Sequence, residues 1–117
     1  MENERLSHLK VKIKSLAAEA VIIRQEARKV SGRQRYVLNC HRTEVVRPAA
    51  RHSLLAYSIL RGRPYELMEK KCYQPPNWKT VAAEAKRFGG EEVQIVEWIE
   101  KAKEYIKENK VDTPLCR

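Results

Sequence analysis

Ten basic side chains crowd residues 24–63, against two acidic ones, Glu26 and Glu44. Nine of the ten are arginines: Arg24, Arg28, Arg33, Arg35, Arg42, Arg47, Arg51, Arg61 and Arg63; the tenth is Lys29. Residues 64–110 show the opposite preference, with eight lysines and one arginine, Arg87. Nearly all of the chain's net charge of +9 therefore sits in its middle third. A guanidinium is planar, weakly hydrated and offers a fork of donors that fits phosphate and carboxylate. A surface that only had to stay soluble would not need that bias. The chemistry it suits is the grip of an anion, through salt-dependent contacts to several phosphates. Arg24 and Arg28 are four apart, as are Arg47 and Arg51, so each pair shares a helical face. Tyr36 stands among them as a ring on which a base can stack.

Other chemistry is poorly represented. Cys40, Cys72 and Cys116 are odd in number and far apart, with no C-x-x-C pair. That argues against a disulfide framework and fits a reducing, cytoplasmic setting. Cys40, His41, His52 and Cys72 lack the short paired spacing of a structural zinc site, so no metal or cofactor is expected. No nucleophile, base and acid cluster together, and no glycine-rich phosphate loop follows a strand, so the chain reads as a binder and not an enzyme. No apolar run is long enough to span a membrane, and residues 1–14 are charged without the apolar block of a secretory signal.

The elements that must carry the arginines are helical. Leu6, Leu9, Ile13, Leu16, Ala20, Ile23, Ala27 and Val30 alternate spacings of three and four, an unbroken seam that predicts a helix over about 4–30. Ser31-Gly32 ends it. A second run, Val37, His41, Val45, Ala49, His52, Leu55 or Ala56, and Ile59, predicts either one kinked helix over 33–61 or two helices meeting near Arg47-Pro48. The economical arrangement is an antiparallel helical hairpin. A short helix is expected over 64–72, then one from Trp78 to Phe88 capped by Asn77, then one stabilised by Ile95, Ile99, Ala102 and Ile106, widened by Trp98 and Tyr105. The expected fold is all-α: a long antiparallel hairpin, residues 1–62, then a small bundle of three short helices, residues 63–110, and a loose tail, residues 111–117.

Two short stretches resemble DNA-binding patterns. Arg61-Gly62-Arg63-Pro64 is similar to the core of the AT-hook, which implies insertion into the narrow minor groove of A·T-rich DNA. Its flanks, residues 54–60 and 65–68, are apolar, which suits a helix-Gly-Pro-helix corner better. Residues 48–88 also admit a helix-turn-helix reading with 78–88 as the reader. Lys79, Thr80, Lys86 and Arg87 would do the reading, but Ala82, Ala83 and Ala85 dilute them. The segment H-R-T-E-V-V-R-P-A-A-R-H-S-L-L-A-Y-S-I-L-R-G-R-P-Y, residues 41–65, resembles one in small uncharacterised proteins of tailed bacteriophages, as does L-K-V-K-I-K-S-L-A-A-E-A, residues 9–20. That resemblance implies an accessory phage product working inside a bacterium and carries no known activity.

The functional expectation is a nucleic-acid-binding accessory protein that grips phosphates through Arg24–Arg63, with Tyr36 beside them. DNA and RNA are not separated by sequence. The alternative is a protein-interaction module that binds and modulates an acidic host protein. A homodimer through the 6–30 seam is compatible with either. All of this requires the guanidinium groups to converge on one outer surface free of carboxylates.

Overall fold

The structure, a computed structural model, describes residues 2–68 and 76–108. All regular structure among them is helical. Helix α1 (Glu2–Lys29) turns its three-four seam inward. Leu9, Ile23 and Ala27 are buried, and Leu6, Ile13, Leu16, Ala20 and Val30 are half-buried. Their cover is the chain's own later helices: the N-terminal part of the seam, with Leu9, joins the main core described below, and the C-terminal part faces the next segment, α2 (Gly32–His41), which a two-residue link holds beside α1 at high effective concentration. Gly32, at φ +61°, makes the turn in a left-handed conformation that only glycine enters without cost.

Arg35 closes this corner. Its Nε donates to the carbonyls of Ala27 (2.9 Å) and Val30 (3.0 Å), and a terminal nitrogen donates to the Arg28 carbonyl at 3.4 Å. A cation thus satisfies the orphaned carbonyls at the negative end of α1. Arg35→Lys keeps the charge but loses the fork, and is expected to cost about 1 kcal/mol. Urea denaturation of the two proteins checks this.

Backbone stays helical from Gly32 to Leu60, with no break at Pro48. The irregularity lies one turn earlier, as a π-helical segment, Arg42–Val46, before α3 (Arg47–Leu60). Proline lacks an N–H and its ring crowds the carbonyl four residues back. A wider turn, in which the Arg47 N–H reaches the Arg42 carbonyl, accommodates Pro48 without interrupting the helical backbone. The extra residue shifts the buried stripe. Val46 is 2% exposed, whereas Val37 and Val45 face outward at 54% and 53%. Over the first half of this arm the covered positions are thus Leu38, Arg42 and Val46, not the expected Val37, His41 and Val45. Beyond Pro48 the expected positions hold: Leu55, Ala56 and Ile59 are buried, and Ala49 and His52 half-buried.

A Schellman turn ends α3. The Gly62 N–H donates to the Ile59 carbonyl and the Arg63 N–H to that of Ser58, both at 3.0 Å, with Gly62 at φ +68°. Within the described residues the helix expected over 64–72 is a single 3-10 turn, Tyr65–Leu67. Pro64 stands before it in extended conformation, not in its first turn. Residues 69–75 lie outside the described residues. Asn77 caps α4 (Trp78–Arg87), its Oδ1 accepting from the N–H groups of Lys79 and Thr80. Last comes α5 (Glu92–Glu108).

The main core joins both halves of the chain. Leu9 of α1 meets Leu55, Ala56 and Ile59 of α3, Val81 and Ala85 of α4, and Ile95, Trp98, Ile99 and Ala102 of α5. Tyr65 sits at its centre, edge-on to Trp78, Trp98 and Tyr105. Trp98 and Gln94 anchor α5 to the end of α3, donating to the carbonyls of Arg63 and Ile59 respectively.

One polar network crosses this core. Glu84 accepts hydrogen bonds from Lys12 of α1 and from the fully buried hydroxyl of Ser53 at 2.8 Å. Burial pushes the Glu84 carboxyl up, but the Lys12 and Ser53 hydrogen bonds and the Lys12 and Arg87 charges outweigh it and hold the carboxyl below its ordinary range. His52, whose Nε2 accepts from the Asn77 N–H at 3.1 Å, is held below the ordinary histidine range by burial and then by Arg51. Both groups have depressed folded-state values. Each contribution is therefore present above the unfolded value and is lost as pH falls through the folded one. Stability is expected to drop on acidification in two stages, His52 first and Glu84 after it. Glu84→Ala strands a buried hydroxyl and an ammonium group and is expected to cost about 2–3 kcal/mol near neutral pH. Urea midpoints from pH 7 to pH 3 check both the stages and the disappearance of the second in the variant.

Candidate nucleic-acid interface

Where α2 lies along α1, a polar groove of about 340 Å³ opens between them. Arg24, Ala27 and Arg28 line it from α1, and Arg35, Asn39 and Arg42 from the facing arm. Spacings of four (Arg24, Arg28) and seven (Arg35, Arg42) keep each pair on one helical flank. The register between the arms brings the flanks together. Arg35 bonds the Ala27 carbonyl, and Arg42 Nε donates to that of Ala20 at 3.1 Å. These bonds use the inner edges of both guanidiniums and hold them in place.

On α1 the nearby acids keep to the other side. Glu19 and Glu26, seven apart, share an α1 flank roughly 140–200° around the helix from Arg24 and Arg28. Glu19 faces His41 at 3.9 Å and Glu26 faces Lys29 at 3.5 Å. Among the described residues, no carboxylate lies within ion-pair distance of Arg24, Arg28, Arg35 or Arg42. Arg42 is held below its ordinary value, first by desolvation and then by the like charges of Arg47 and Arg24. The groove thus concentrates positive charge that its own surroundings leave unneutralised.

The remaining arginines are dispersed. Arg47 is exposed one turn beyond Arg42 and close enough to repel it. Arg33 lines a neighbouring apolar depression with Val30, Gln34, Val37 and Leu38. Arg51 is half-buried beside His52. Arg61 and Arg63 are exposed at the far end of α3, about 28 Å of helix from Arg42. The single surface expected for all nine is thus a groove of four with Arg47 near it. Unbroken helix from Arg42 to Leu60 carries Arg61 and Arg63 away from that end. The AT-hook-like residues form the Schellman corner described above, with the Arg63 carbonyl held by Trp98.

Tyr36 is 69% exposed in an adjoining depression of about 400 Å³, which shares Arg35 and Asn39 with the groove. The Cys40 side chain beside it pushes the phenol up, first through hydrogen bonding and then through charge, with Glu44 adding to the effect. Asn39 is the groove residue that charge reasoning passed over. Its place four residues after Arg35 and three before Arg42 was the available signal. Lys79, Thr80, Lys86 and Arg87 are exposed on α4, whose other face packs on α3.

Among the described residues no three His, Cys, Asp or Glu side chains gather as a metal site, and no helix is long and apolar enough to cross a membrane. Cys40 is half-buried; Cys72 and Cys116 lie outside the described residues. Comparison with known proteins finds no matching family model, no matching curated protein and no matching solved structure.

Proposed function

We propose that this chain is a nucleic-acid-binding accessory protein whose arginine groove grips backbone phosphates. The observation that carries this reading is the groove itself: Arg24, Arg28, Arg35 and Arg42 converge on it, with no carboxylate at ion-pair distance among the described residues. Phosphate oxygens accept from the outward edges of guanidiniums and supply the missing counter-charge. In this reading the molecule is a long antiparallel pair of arms that presents the groove, braced by a small bundle around Tyr65. It works in the cytoplasm, that of a bacterial host if the phage resemblance of residues 41–65 holds. Fluorescence anisotropy with duplex DNA, single-stranded DNA and structured RNA probes tests it. Binding to at least one probe that weakens steeply with salt supports the reading, and no binding at low salt rejects it.

One observation favours a second reading, an acidic protein as partner. The depression of about 470 Å³ lined by Val30, Arg33, Gln34, Val37 and Leu38 adjoins the arginines and offers an apolar contact beside a cation. A pull-down from nuclease-treated lysate separates the readings. An acidic protein retained after nucleic acid is destroyed favours the second.

A further inference from the structure

Tyr36 is the only exposed aromatic among the described residues; Tyr57, Tyr65, Trp78, Phe88, Trp98 and Tyr105 are all buried or half-buried. It is exposed where the charge is densest. Its depression and the arginine groove are contiguous, since Arg35 and Asn39 line both. Three residues with polar side chains of different kinds line the depression with Tyr36: Asn39, an amide, Thr43, a hydroxyl, and Glu44, a carboxylate. A carboxylate is out of place in a site for phosphate alone, because it repels the backbone. It suits the edge of a base, where it accepts from an exocyclic amino group. An aromatic face beside a cationic groove is the arrangement that holds single strands, with phosphates on the charges and bases on the rings. A paired base keeps its faces within the duplex stack and does not lie flat on Tyr36.

Resting on the phosphate-gripping reading above, we infer that the site takes single-stranded nucleic acid, with one unpaired base stacked on Tyr36 and its polar edge toward Asn39, Thr43 and Glu44. Phosphates flanking that base occupy the groove of Arg24, Arg28, Arg35 and Arg42. The strand therefore crosses α2 instead of running along it.

Three 12-nucleotide probes test this by anisotropy at one salt concentration: a mixed-sequence single strand, its duplex, and an abasic strand with the same phosphates. The single strand is expected to bind at least five-fold tighter than either of the others. Tyr36→Ala should lower single-strand affinity five- to a hundred-fold and leave the abasic strand unaffected, while Tyr36→Phe, which keeps the ring face, stays within about two-fold. Thermal melts of both variants confirm that the exposed site leaves the fold intact. Equal binding of all three probes, or a Tyr36→Ala protein that binds the single strand normally, overturns the inference and leaves the phosphate groove standing. No binding of any probe overturns both.

Discussion

Exchanging Arg24 and Arg28 together for glutamate is expected to lower single-strand affinity by a hundred-fold or more, with the melting temperature nearly unchanged. Both residues are exposed and neither holds a core contact. Two phosphate contacts are lost and two repulsions gained, each on the order of 1 kcal/mol, which together approach three powers of ten at low salt. Net charge falls by four, and a general loss of attraction must be separated from a local one. Lys101→Glu with Lys103→Glu makes the same change on exposed positions of α5, away from the groove. That control is expected to lose less than about five-fold. Equal losses in the two proteins would mean that total charge, and not the groove, governs binding. Titration of both against one labelled strand decides the matter.

The largest stability effect is expected at Tyr65. Its ring is 4% exposed and makes edge contacts with Trp78, Trp98 and Tyr105 at centroid separations of 6.3, 5.7 and 5.8 Å. Tyr65→Ala removes three aromatic pairs and opens a cavity where the 3-10 turn, α4 and α5 meet. The expected cost is about 3–5 kcal/mol, which for a domain of this size lowers the melting temperature by roughly 15–25 °C. Tyr65→Leu, which refills part of the space, should recover some of the loss. Below its melting point the Tyr65→Ala protein should still bind single strands, because the groove lies between α1 and the segment formed by α2 and the π-helical turn, where the buried residues Ile23, Ala27 and Val46 stand outside the aromatic core. Thermal melts and anisotropy on the same samples check both statements.

These two sites show what the amino-acid sequence discloses and what it withholds. Features written into one helix at a time were legible. The seam from Leu6 to Val30, the Asn77 cap, the stop at Gly62 and the α5 stripe each follow from spacing or from one residue's backbone preference. The phase of the second arm was not legible. Val37, His41 and Val45 have the same period as Leu38, Arg42 and Val46, and only contact with α1 and the demands of Pro48 choose between them. The role of Tyr65 was hidden too, since a three-residue turn has no period to betray it. Of the arginines, the pairs within each arm could be read from spacings of four and seven. Their union across the arms depends on register, which the two-residue link between α1 and α2 sets. Arg61 and Arg63 share the composition of the cluster but not its place, because composition does not count the helical turns between them and Arg42.

The salt dependence of single-strand binding tests the central claim most directly. If Arg24, Arg28, Arg35 and Arg42 each meet a phosphate, a log-log plot of affinity against salt has a slope of about −3 for the wild-type chain, and Arg24→Glu with Arg28→Glu brings it to about −1.5 or shallower. A slope near zero, or one that the double substitution leaves unchanged, would contradict a groove built to hold phosphates.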